Sequence, residues 1–211
     1  MDKKWELEDL YEFPHAYSQS HSLIYCFDSK LNPRDRERIN IALTEYSWQG
    51  GYSYVNFYTV LRHQVPVEYQ PQIASIHYAS PGWIDIILNP NVAIQVAKSV
   101  SILLGTAVAA SKAYTRIYKE LAALKKEKIK NQAEKAEFSQ REIKAVMEMA
   151  DEIAKYIGFN SVAQLQDYTK NAEVTLKILL AHYRRIRIMA DYVEKGKVTL
   201  PIELKKPSKH L

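Results

Sequence analysis

Three residues near the start of the chain, His15, His21 and Asp28, are of the types that carry general acid–base chemistry. No serine or cysteine elbow accompanies them, and histidines in an aromatic-rich stretch read as hydrogen-bonded structural residues. The one cysteine, Cys26, sits inside the apolar run Ser22–Phe27, the setting of an inert thiol rather than a nucleophile. His15 and His21 are six apart and His63 and His77 fourteen apart, and neither interval suits a metal. The adjacent glycines Gly50 and Gly51 are not followed by a lysine, so they do not form a phosphate loop. The chain therefore reads as non-enzymatic, with no catalytic residue, no metal site and no cofactor.

Binding chemistry is better represented. Arg184, Arg185 and Arg187, beside His182, form the densest basic cluster on a predicted helix and are candidate anion contacts. They alternate with core-type Ile186 and Ile188 rather than with the Asn, Gln or Ser of a groove-reading helix. Charge is also uneven along the chain. Residues 1–90 hold 7 Lys+Arg against 11 Asp+Glu, and residues 91–211 hold 22 against 13. The back half can face nucleic acid or an anionic membrane; the front half cannot do so by charge alone. A solvated, lysine-rich helix surface accounts for the same numbers. The mixed run Arg34–Arg38 reads as a salt-bridged helix face.

Hydrophobic content of 47% and charged content of 25% are those of a folded protein, and 211 residues suffice for one full core or two small ones. The lone cysteine and the lack of an apolar run after Lys3 and Lys4 predict a cytoplasmic protein without a secretory signal.

The elements that must position these residues divide at about residue 90. In front, Leu7, Leu10 and Tyr11 predict a short helix ending before Phe13-Pro14. Ser22–Phe27 predicts a strand, and Asn32-Pro33 opens a helix with Ile39, Ala42, Leu43 and Tyr46 on one face. After the Gly50-Gly51 turn, Tyr52–Leu61 reads as a strand with Tyr52, Tyr54, Asn56 and Tyr58 on one side. Ile73–Ser80 and Trp83–Leu88 flank a Pro81-Gly82 turn as two more strands. This predicts an aromatic-rich α+β domain over 1–90, with a small antiparallel sheet and one or two helices. Tyr52, Tyr54, Tyr58 and Trp83 are its candidate contacts to a partner protein. A stacking platform for bases is the competing use of the aromatics, but Arg62 is the only cation near them in sequence.

Behind, Asn89-Pro90 opens a long helix to about Asn131. Ala93, Val96, Val100, Leu103, Ala107, Ala110, Tyr114, Ile117, Leu121 and Leu124 step by alternating threes and fours, a seam of period 3.5. A second row, Ala93, Ala97, Ser101, Gly105, Ala109 and Ala113, has only small residues. Ser139 and Glu142 form a capping box for a second helix that ends at Gly158. Asn160-Ser161 opens a short helix, and a last one runs from Ala172 to Lys195-Gly196. The expected architecture is α+β in front, then a helical domain over 91–198 forming a bundle or coiled coil, then a loose basic tail over 199–211.

The expected function is an interaction and assembly module that forms a homo-oligomer through Ala97, Ser101, Leu103, Gly105, Ala107, Ala109 and Ala113. One alternative is membrane association through residues 91–114. Ser99–Ser111 is uncharged for 13 residues between Lys98 and Lys112, short of the ~20 a spanning helix needs. The other alternative is nucleic-acid binding by the basic helical half.

Overall fold

The computed structural model describes residues 5–28, 31–45, 53–77, 83–130 and 138–200. The α+β expectation is overturned: these residues are mostly helical. Seven α-helices are accompanied by a single two-stranded hairpin, the only sheet among the described residues.

The helices are α1 (Leu7–Cys26), α2 (Pro33–Glu45), α3 (Ser53–Gln64), α4 (Pro90–Lys130), α5 (Gln140–Tyr156), α6 (Val162–Thr169) and α7 (Ala172–Glu194). A 3-10 turn, Val67–Tyr69, precedes β1 (Gln72–His77), which pairs antiparallel with β2 (Trp83–Ile87). The Gly50-Gly51 and Pro81-Gly82 turns and the part of the expected 199–211 tail beyond Leu200 lie outside the described residues.

Two segments expected as strands are helical. Ser22–Phe27 continues α1, and every residue from Ser20 to Phe27 is buried. A helix end enclosed on all sides has no polar face, so its pattern cannot be told from that of a buried strand. Ser22 is held in the helix by its hydroxyl, which donates to the Ser18 carbonyl at 2.8 Å. In α3 the buried positions are Phe57, Tyr58 and Leu61, followed by Val65, which is helical spacing rather than alternation. The tyrosines there favour strand only weakly, and packing decides.

α1 also runs through Pro14 instead of stopping before it. Proline removes one backbone hydrogen bond, but Phe13, Ala16 and Tyr17 bury on both sides of it and hold the helix together. The face formed by Leu7, Leu10 and Tyr11 is the exposed one.

The rear elements start and stop where their caps lie. Asn89 accepts from the amides of Asn91 and Val92 at 3.1 and 3.3 Å and opens α4, with Pro90 as its first residue. At 41 residues α4 is on the order of 60 Å long. Ser139 and Glu142 cap α5 reciprocally: the Ser139 amide donates to Glu142 at 2.7 Å, and the Glu142 amide donates to the Ser139 hydroxyl at 3.4 Å. Asn171 caps α7 by accepting from the Val174 amide at 3.2 Å.

α7 is the axis of the molecule. It packs against α1, α4, α5 and α6, and α4 and α5 also pack on each other. The period-3.5 seam of α4 faces inward, with Val96, Val100, Leu103, Ala110 and Ile117 essentially inaccessible. The α5 seam, Val146, Ala150, Ile153 and Ile157, does the same. One cluster of buried side chains runs without a break from α1 to α7.

α5 closes on a Schellman turn. The Phe159 amide donates to the Ala154 carbonyl at 2.9 Å and the Gly158 amide to the Lys155 carbonyl at 3.3 Å. Gly158 has φ +60, and a Cβ there would lie 2.8 Å from Ile102 Cδ1 on α4. The backbone conformation therefore demands glycine, and an added Cβ would also make the Ile102 terminal methyl turn aside. Gly158→Ala is expected to destabilise the fold by about 2 kcal/mol, from the left-handed conformation and the displaced isoleucine together. A urea unfolding curve measures it, and a loss within about 0.5 kcal/mol of zero contradicts the close approach.

Candidate functional site: the outer face of α4

The two rows read on α4 separate in the structure. Of the residues expected to hold an oligomer together, Ala97, Leu103 and Ala113 are buried in the chain's own core, and Ala107 is half-buried. Leu103, on the seam, therefore serves the intramolecular packing. Ser101, Gly105 and Ala109 are exposed. A Cβ built on Gly105 meets nothing within 4 Å. Around these small residues lie Ile102, 39% exposed, and Val108, 71% exposed, with Tyr118 at 59% further along the helix.

The result is an outward strip, free of charge between Lys98 and Lys112, whose middle has almost no side-chain relief. Beyond Lys112 the surface turns polar. A shallow hollow there is lined by Ser111, Lys112, Thr115, Arg116, Lys119 and Glu120. Arg116 is engaged on two sides, by Glu120 at 3.1 Å and by Glu152 of α5.

By length and composition, Pro90–Glu127 is long and apolar enough to cross a membrane. In the fold 39% of its most apolar window is buried inside the chain, the side that α1, α5 and α7 cover.

Of the aromatic contact set, Tyr58 has its side-chain environment described. Tyr58 is a correction: at 2% exposed it is a core residue and cannot reach a partner. Burial holds its phenol well above the usual range, and the Arg185 guanidinium lies 5.2 Å from its ring centroid. Tyr54 falls on α3 and Trp83 on β2. Tyr52 lies outside the described residues.

The three arginines of α7 are all engaged within the chain. Arg184 donates to the Tyr114 hydroxyl at 3.1 Å, where Tyr114 stacks on Tyr183 with centroids 4.7 Å apart. Arg185 donates to Gln19 of α1 at 2.6 Å and to the Ala181 carbonyl at 3.1 Å. Burial lowers its pKa to about 10. Arg187 pairs with Asp191 at 2.8 Å.

His15 and His21 do not form a unit. His15 is exposed, stacks on Tyr11 and lies 2.8 Å from the Gln19 amide nitrogen, whereas His21 is inaccessible. Cys26 is a core residue, its thiol 3.6 Å from the Leu61 carbonyl oxygen and pushed far up in pKa by burial. No group of three or more potential metal ligands exists among the described residues.

A polar cluster that the sequence did not reveal joins the two ends of the chain. Asp9 is buried where α1 begins. It accepts from the Glu6 amide at 2.7 Å, from the Tyr192 hydroxyl at 2.8 Å and from the Lys197 ammonium. The Lys197 hydrogen bond, with the other donors, lowers the Asp9 pKa to about 2. Asp9 and Tyr192 are 183 positions apart, so no local spacing marks them.

No protein-family model, curated protein or solved structure matches the chain.

The Asp9 cluster makes a pH prediction. A carboxylate with a lowered folded pKa contributes stability above its unfolded value of 3.8 and loses it as pH falls through about 2. Asp9→Asn should unfold at lower urea than the wild type at pH 6, with a smaller further loss between pH 4 and 2. Equal slopes for the two proteins would contradict the pairing.

Proposed function

We propose that the chain is a non-enzymatic interaction module that self-associates through the outer face of α4. The observation that carries this reading is the open space around Gly105, between exposed Ser101 and Ala109 and beside exposed Val108. Small residues four apart let a second helix approach to the short end of the 8–10 Å range of interaxial distances. Val108 and Ile102 then supply the apolar area that contact removes from water.

The strip from Ser101 to Ala109 covers about 12 Å of helix. That is less than a standard interface, so the association is weak and concentration-dependent. An antiparallel pairing centred on Gly105 sets Lys98 of one copy near Lys112 of the other. Like charges at the rim oppose the contact, so added salt should tighten it by screening.

Gly105→Leu separates assembly from folding. In the monomer the new side chain has room, and replacing a mid-helix glycine should raise stability by about 0.5–1 kcal/mol. In the dimer it blocks close approach, so sedimentation over a wide concentration range should find the wild type associating and the variant monomeric. A wild type that stays monomeric throughout overturns the proposal.

A second reading, membrane association by residues 91–114, draws on the length and apolarity of α4. It predicts that a monomeric wild type pellets with anionic lipid vesicles, and that Val108→Lys does not. The nucleic-acid reading has less support, since Arg184, Arg185 and Arg187 already have partners within the chain.

A further inference from the structure

His21 on α1 and His182 on α7 are both fully inaccessible, and all four of their ring nitrogens lack a hydrogen-bond partner among the described residues. The Ser20 hydroxyl, also inaccessible, is in the same state. Buried polar atoms are nearly always paired, so three orphaned side chains on two helices that pack together call for a reason.

That they share a level follows from the pairing of the two helices. α1 and α7 run antiparallel, with Asp9 bonded to Tyr192 and Gln19 to Arg185. Continuing that register brings His21 opposite the turn of α7 that holds His182. His21 is flanked by Tyr17, 6.2 Å between ring centroids, and His182 meets the edge of Phe159 at 6.0 Å. Phe159 in turn packs on Phe27 at the end of α1.

The titratable and charged groups around this layer offer no acid. α1 brings Tyr17 and Tyr25, α7 brings Arg184 and Arg185, and α3 brings Tyr58 and Arg62. Neither α4 between Ser99 and Ser111 nor the connection from Ile157 to Ser161 carries a charge. Along α1 the nearest carboxylates are Asp28 and Glu12, seven and nine residues from His21. Along α7 they are Glu173 and Asp191, each nine residues from His182 and about 14 Å along the axis.

We propose that the His21–His182 layer is an acid-releasable seal, in which protonating either ring detaches α1 from α7. An imidazolium in this layer has no counter-ion among the described residues and no hydrogen bond in the closed arrangement, so letting water in is what accommodates it. α1 is the element that yields. Helix α3 packs on α1 and α2 packs on α3; the front group is joined to α4–α7 mainly through α1, which packs on both α7 and α4, with a smaller α2–α6 contact. Freeing α1 from α7, and with it from α4, therefore separates the front helices from the rest without disturbing the α4–α5–α7 packing.

The direction with pH is fixed by the rings. Burial lowers His21 from 6.5 to about 4 and His182 from 6.5 to about 3. A base whose closed-state pKa is depressed binds more protons when open. The seal is therefore intact above pH 6.5 and weakens as pH falls towards the closed-state values. At pH 5 the open-to-closed ratio should rise by about 30-fold for each ring exposed, and about a thousandfold if both are.

Hydrogen exchange on the full chain at pH 7.5 and pH 5, corrected for intrinsic rates, tests this. Amides of α1 should lose protection by the stated factor while those of α5 keep theirs. In His21→Leu with His182→Phe, the pH-dependent part of that loss should vanish. Should the double variant not fold, the ring signals of the wild type decide by NMR, since both must stay neutral at pH 6 in the folded chain. Rings that titrate near 6.5 without loss of α1 protection overturn the proposal. So does parallel loss of protection in α1 and α5, and so does a double variant that loses protection as the wild type does.

Discussion

The enclosure of α7 is the constraint on which the rest of the structure depends. Fourteen of its 23 residues are buried, including consecutive runs such as Ile178–Tyr183. A helix apolar around most of its circumference cannot lie on a surface, so other elements must wrap it. α1, α4, α5 and α6 do so. Each of these helices needs only one face for that task, which is why each keeps an outer side. The length of α4 is misleading in this respect. It is the longest element, but it is one wall of the enclosure rather than its centre.

The rear of the molecule was legible because its signals are local. A capping box at Ser139 and Glu142, asparagine caps at Asn89 and Asn171, and glycines at Gly158 and Gly196 in left-handed turns each act over a few residues. The α4 and α5 seams are legible for a related reason, since those helices are half wet and their polar side fixes the period. The front was misread where that contrast disappears. The second half of α1 is buried all round, and α3 carries β-favouring tyrosines on a helix that packing imposes. Tertiary contact overrides propensity most easily where a segment is enclosed. The β1–β2 pair was legible by contrast, because two short isoleucine-rich runs flank a Pro-Gly turn signal, and Ile73 lies opposite Ile86.

The candidate surface was partly legible. The small-residue row on α4 is plain in the sequence, but which of its members face outward depends on where α1, α5 and α7 sit. Ala97 and Ala113 turn inward at either end, and only Ser101, Gly105 and Ala109 remain outside. Val108 and Ile102 were passed over because neither belongs to the seam or to the small row. The signal at Val108 was available, since it is an apolar residue off the packing seam of an amphipathic helix; Ile102 has one edge against Gly158 and the other open to solvent. The arginines of α7 carry a signal that local spacing leaves incomplete, since each of the three also has a partner inside the chain, on α4, α1 and α7 itself.

Polar contacts also explain why so apolar an interface as α1–α7 has a single register. Ridges of leucine, isoleucine and alanine pack nearly as well after a slip of one helical turn, so apolar area alone does not choose between the two. Asp9 does choose. One turn out of place, it would lose Tyr192 and Lys197 together and leave a carboxylate buried without a donor, which is far more costly than a modest packing defect. The Gln19–Arg185 bond ties the two helices at a second point, ten residues further along α1. The register is thus fixed at two polar points, and the layer holding His21 and His182 must follow from it. That layer cannot slide towards acids that would satisfy it, because the bonds that order the interface also hold it in place.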